Sequence, residues 1–166
     1  MKSLAAPGTI FALFAGVYYW FPKATGRKMN ELLGHLHFWP SLILINLVFF
    51  PMFIEGLAGM NRRMYDGGMG YMHNATVLHW NVVQGYAAWG LGLAQIPFII
   101  NFFASIKWGT AVNQNPWEAT TLEWAAPSPP GHGNFLTEPI VYRGPYEYSV
   151  PGAARDFTPQ FEPERA

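Results

Sequence analysis

Apolar residues run along this chain in three long blocks, separated by short charged connections. No Asp, Glu, Lys or Arg lies between Lys2 and Lys23, between Glu31 and Glu55, or between Asp66 and Lys107. A helix needs about 20 mostly apolar residues to cross the hydrocarbon core of a bilayer, and each block reaches that length. The middle block reads LLGHLHFWPSLILINLVFFPMFI, with too few polar residues for a helix on the surface of a soluble domain. The apolar part of the third block runs from Ala75 to Ser105. The pattern predicts three transmembrane helices, over 5–22, 33–57 and 75–106.

A secretory signal is the competing explanation for the first block. Such a signal has a basic start, a shorter apolar stretch and a small-residue cleavage site. This block instead ends in YYWFP, a bulky aromatic cluster suited to a membrane interface. Pro40, Pro51 and Pro97 fall inside apolar blocks. Proline would break a solvent-exposed helix, whereas neighbours in a bundle re-satisfy the freed backbone. The prolines therefore point to a larger packed assembly.

Past Lys107 the pattern changes. Nine of the fourteen prolines lie from Pro116 onward, and stretches such as APSPPGHG and RGPYEYSVPG suit neither a helix nor a central strand. The reading is a transmembrane segment over 1–114 and an extended Pro-rich tail over 115–166. Such a tail is expected to lie on a surface and be ordered by partners.

Composition sharpens this. Only 12% of residues are charged, against about a quarter in an ordinary soluble domain. Ten Lys and Arg balance ten Asp and Glu, so no basic face for nucleic acid exists. The absence of cysteine excludes disulfides, thiolate metal sites and a thiol nucleophile. Hydrolase and phosphate-loop patterns are missing too. Lys23, Arg27, Lys28 and Lys107 favour the first connection and the tail on the cytoplasmic side, by a narrow margin. The N-terminus then lies on the outer side.

That orientation leaves Arg62 and Arg63 outside, in GLAGMNRRMYD just past the second helix. One reading is a solvated pair with Asp66 and Glu55 as partners. The other is a clamp for an anionic ligand at the membrane edge, because guanidinium forks bind carboxylates or phosphates bidentately. Surrounding glycines would let the backbone turn tightly there.

His35 and His37 invite a metal assignment, but residues i and i+2 of a helix point about 200° apart. Twenty-five residues separate His37 from Arg62, about 37 Å if helical. Both histidines are read as polar residues at the cytoplasmic end of the second helix. His73 and His79 flank the third helix as interfacial residues, and His132 carries no signal.

Several stretches in order resemble one family. GTIFALFAGVYYWFPKATGR (8–27), HFWPSLILINLVFFP (37–51), GLAGMNRRMYD (56–66), NPWEATTLEWAAPSPPGHGNF (115–135) and YEYSVPGA (146–153) are similar to the C-terminal part of subunit I of haem–copper oxidases, most like bacterial cytochrome c oxidase. The resemblance implies an all-α integral membrane fold, the last three of twelve helices, in the bacterial cell membrane. It implies that Arg62 and Arg63 hold the propionates of the low-spin and high-spin haems, and that Phe49 packs against the low-spin haem. Trp20 and His37 match family positions and are given packing roles. Asn61 stands where the family commonly has Pro, and Met52-Phe53 where polar residues such as Gln-His usually follow Pro51.

The family's His-Phe-His element, which ligates both haem irons, would fall at the outer end of the first helix. Counting back from Trp20 puts its second histidine at Lys2 and its first ahead of Met1. The copper ligands belong to earlier helices. The expectation is a chain with no catalytic residue and no iron or copper ligand, unable to reduce oxygen alone. Its implied partners are the remainder of subunit I, subunits II and III, cytochrome c as electron donor, and membrane lipid. The implied complex passes electrons to oxygen and pumps protons. A non-catalytic scaffold subunit without cofactor, or the equivalent part of a quinol oxidase, are the alternative readings.

Overall fold

The computed structural model describes residues 2–61, 63–64, 66, 69–70, 75–147, 152 and 157–163. It is helical. The elements are α1 (Lys2–Thr25), a strand β1 (Arg27–Lys28), α2 (Glu31–Leu57), α3 (His79–Ala94), α4 (Ile96–Trp108), a strand β2 (Thr110–Ala111) and a 3-10 turn at Leu122–Ala125. The chain divides into two compact units, Met1–Leu13 with Asn30–Phe103, and Phe14–Met29 with Ala104–Ala166. This division differs from the expected cut at 114, because the second unit also takes in the end of α1 and the end of α4.

In the first unit, Asn30 starts α2. Its side-chain oxygen accepts the Leu33 N–H at 3.1 Å, satisfying one of the donors left open at a helix start. The helix then runs 27 residues through Pro40 and Pro51. It packs antiparallel on α3, since Glu55 meets Gln84 while Ser41 meets Gln95. The seam uses Ser41 and Ile45 from α2 and Gln84, Ala87 and Ala94 from α3, all buried. The spacing of these residues puts each set on one helix face. Gly90 admits the Leu44 side chain, whose methyl would lie 3.2 Å from a Cβ there.

The third block differs from its expected form in two ways. Its regular helix begins at His79 rather than 75, after turns over 75–78. Trp80 and Asn81 bond three residues back, to Val77 and Leu78, and no side chain caps the start. The helix is also interrupted at Gln95. Pro97 has no N–H for the carbonyl four residues back, and its ring crowds that carbonyl. Gln95 instead bonds back to Gly92, and the ladder resumes with Ile99 N–H to Gln95 O at 3.1 Å. The first helix extends beyond its expected 5–22 at both ends, and the second begins two residues before its expected 33–57 and ends where expected.

Glu31–Leu57 and His79–Trp108 are long and apolar enough to cross a membrane. Leu13, Ile43, Phe50, Leu93 and Phe103 point outward, exposed. Apolar surface of this kind suits lipid or further helices, not water.

In the second unit, α1 ends at Thr25. Gly26 adopts φ +70 and returns its N–H to Pro22 O at 2.8 Å, a left-handed helix stop that glycine takes without steric cost. β1 then pairs antiparallel with β2, Arg27 opposite Ala111 and Lys28 opposite Thr110. The tail folds against the end of α1. The Lys23 ammonium donates to Ala126 O at 2.6 Å and Gln114 O at 3.2 Å, and lies 5.0 Å from the Trp124 ring. Trp124 is 1% exposed and meets Tyr19 edge-on at 5.2 Å, while Trp117 stacks on Tyr19 and donates to its carbonyl. Between 112 and 147 the 3-10 turn is the one helical element among the described residues.

Candidate functional site

The arginine-bearing loop follows directly from how α2 stops. Ala58 N–H bonds Ile54 O at 3.0 Å, and Met60 N–H reaches back to Glu55 O at 3.0 Å across Gly59. Gly59 has φ +87, which closes the last turn. Four residues later Arg63 is exposed and has φ +62. A left-handed backbone on a residue with a side chain costs about 1–2 kcal/mol, and such conformations cluster where ligands are clamped. Arg62 lies outside the described residues.

Of the two acids considered as partners for the arginines, Glu55 is committed to α3. Glu55 is 5% exposed, and its Oε2 accepts from Gln84 Nε2 at 2.7 Å. Its Oε1 is buried and has no partner among the described residues. Asp66 Oδ2 accepts the Gly70 N–H at 2.7 Å.

Phe49 is half-buried on α2, eight residues before the helix end, about 12 Å along the axis. Among the described residues, no hydrogen bond or ring contact joins Phe49 to Arg63. The two are brought to the same end of one helix, not into contact.

The histidines separate as their spacing demands. His35 is exposed and His37 is 2% exposed. His37 Nε2 and Gln95 Oε1 are 3.0 Å apart, Gln95 Nε2 donates to Ser41 Oγ at 3.1 Å, and the imidazole meets Phe98 at 5.1 Å. His37 is thus an interior residue of the α2–α3 seam and its continuation into α4. His79 opens α3 against Trp80, His132 is exposed, and His73 lies outside the described residues. Sequence reasoning missed Gln95 and Asn101. The available signal was an uncharged amide in a charge-free block.

A profile of the family described as cytochrome c and quinol oxidase polypeptide I matches residues 3–111. This chain belongs to that family. Its oxidase relatives include the alternative cytochrome c oxidase subunit 1 of Bradyrhizobium diazoefficiens, 44% identical over 93% of this chain and 26% of the relative. Cytochrome c oxidase subunit 1 of Synechocystis is 46% identical over 86% of this chain and 25% of the relative. That of Thermostichus vulcanus is 41% identical over the same shares. The chain spans about a quarter of the length of these curated oxidase relatives. The resemblance drawn from the motifs, to part of an oxidase subunit I, is thereby shown.

Proposed function

We propose that this chain serves as the C-terminal transmembrane part of subunit I in a bacterial respiratory cytochrome c oxidase. In that reading α1 supplies a third membrane span, and the tail lies on the cytoplasmic side. The rest of subunit I, together with subunits II and III, completes the complex. The observation that carries it is 44% identity over 93% of the chain to a cytochrome c oxidase subunit 1. The relatives' names favour cytochrome c over quinol as donor.

Arg62 and Arg63 hold haem propionates, and Phe49 packs on the low-spin haem. The exposed Arg63 guanidinium on a left-handed turn fits a carboxylate-bearing group, and Glu55 takes its donor from Gln84 instead. When bound, the haems and copper supply electron transfer to oxygen, coupled to proton pumping. The chain's own residues bind and orient. Guanidinium forks donate paired hydrogen bonds to carboxylates and neutralise their charge, and Phe49 covers an apolar ring face. No side chain here acts as a metal ligand in this reading.

The test is made in the assembled oxidase. Arg62→Lys or Arg63→Lys keeps the charge but loses the planar fork, so haem stays bound while its potential shifts. Changing both to Ala leaves buried propionates unpaired, at about 3–5 kcal/mol. Haem per complex, read from the reduced absorbance bands, then falls. Full haem content with unchanged potential in the double variant overturns the assignment.

A further inference from the structure

The second unit gathers three basic residues at one corner. Arg27 and Lys28 form β1, paired with Ala111 and Thr110, and Lys107 lies in the last turn of α4. Gly109 sets how closely these segments approach. A Cβ there would collide with the Ser105 carbonyl, lie 2.8 Å from the Lys28 carbonyl oxygen and 3.2 Å from the Arg27 Cβ. The end of α4 is therefore in van der Waals contact with β1, which brings the backbones of Arg27, Lys28 and Lys107 to one corner.

Arg27 keeps donors for an anion there. Arg27 Nη1 donates to Gly109 O at 2.8 Å, which fixes the guanidinium at the negative end of the α4 dipole. A guanidinium has five N–H donors in a rigid fork, and one bond to a carbonyl leaves the others for a further acceptor. Arg27 is half-buried and Lys107 is exposed. The Lys28 ammonium lies 5.2 Å over the Trp117 ring. Next to Lys107, Trp108 is 81% exposed at the end of a helix apolar enough to cross a membrane. Exposed indole beside basic side chains at a helix end suits the headgroup level of a bilayer. The acids nearest in sequence are Glu31, three residues after Lys28, Glu118, beside Trp117, and Glu123, which faces Lys23.

We propose that this corner binds the phosphate of an anionic phospholipid. The Arg27 fork and the Lys107 ammonium take the phosphate oxygens, with Trp108 at the boundary of the acyl chains. Lys28 adds its charge from over Trp117. The proposal rests on the membrane reading above and is independent of the arginine pair at Arg62 and Arg63. Membrane insertion and haem absorbance report on those readings, and lipid counting reports on this one.

The assembled oxidase is exchanged into nanodiscs of phosphatidylcholine containing a minor share of phosphatidylglycerol, and retained phospholipid is counted by native mass spectrometry. The wild-type complex retains phosphatidylglycerol in preference to phosphatidylcholine. Lys107→Gln, on an exposed side chain, weakens that retention about fivefold, and Lys107→Arg restores it. Arg27→Gln combined with Lys107→Gln weakens it further. Equal phosphatidylglycerol retention by wild type and Lys107→Gln, with insertion and haem bands intact, overturns the proposal. Equal retention of the two lipids, or full displacement by millimolar inorganic phosphate, also overturns it.

Discussion

The Asn101 side chain brackets the Asn30 peptide. Its Oδ1 accepts the Asn30 N–H at 2.8 Å, and its Nδ2 donates to the Asn30 carbonyl at 2.8 Å. One amide on α4 thus pairs with both backbone groups of the residue that caps α2, whose carbonyl also accepts the Gly34 N–H at 3.1 Å, and Asn101 is 0% exposed. Asn30 itself is exposed, so each lost hydrogen bond costs about 0.5–1.5 kcal/mol. Asn101→Leu is therefore expected to lower the thermal stability of the assembled complex and raise amide exchange at Asn30 and Leu33. Equal protection of Asn30 in wild type and Asn101→Leu would show that the bracket contributes nothing.

A second prediction concerns Glu55 and Gln84. Gln84→Leu removes the donor from a buried carboxyl whose other oxygen already lacks a partner among the described residues. The single change should cost about 1–3 kcal/mol. Replacing both residues by Leu removes the polar demand altogether and should recover much of that loss. The double-mutant cycle is read from the unfolding midpoint of the complex. A double variant as unstable as the two singles added together would refute the coupling.

The two histidines are expected to part ways. His35→Ala touches an exposed side chain and should leave stability within about 0.5 kcal/mol. His37→Ala opens a cavity and strands the amide of Gln95, so it should destabilise visibly. Neither should abolish the haem bands, because His37 is committed to the helix seam. Loss of those bands in folded His37→Ala would move the cofactor site to the other end of α2.

The Lys23 ammonium, just beyond the proposed 5–22 span, makes a pH-dependent case. Burial lowers its pKa below the ordinary 10.5, and the Glu123 carboxylate partly opposes the shift. The unfolded chain therefore holds more protons than the folded one between the lowered value and 10.5. Stability contributed by this group rises with pH across that window. Lys23→Met should remove that rise while weakening the tail at every pH, since the Gln114 and Ala126 carbonyls lose their donor. Limited proteolysis of the tail between pH 8 and pH 10.5 reads the difference. Parallel pH slopes in wild type and Lys23→Met would rule out this coupling.

Charge spacing located the helical blocks, because a membrane-length apolar run leaves few alternatives, but not the start at His79 or the break at Gln95. Local chemistry also determined the cap at Asn30, the helix stop at Gly26, the weakness at Pro97 and the separation of His35 from His37, which follows from 3.6 residues per turn. The ordered motifs around Trp20, Arg62 and Trp124 determined the family. What only the tertiary structure decided is who meets whom. Glu55 finds Gln84 29 residues away, Asn30 finds Asn101 71 away, and Lys23 finds Ala126 103 away. No local window carries such pairings. They arise because a buried polar group must find a partner, and the antiparallel seam and the folded tail determine which partner is within reach.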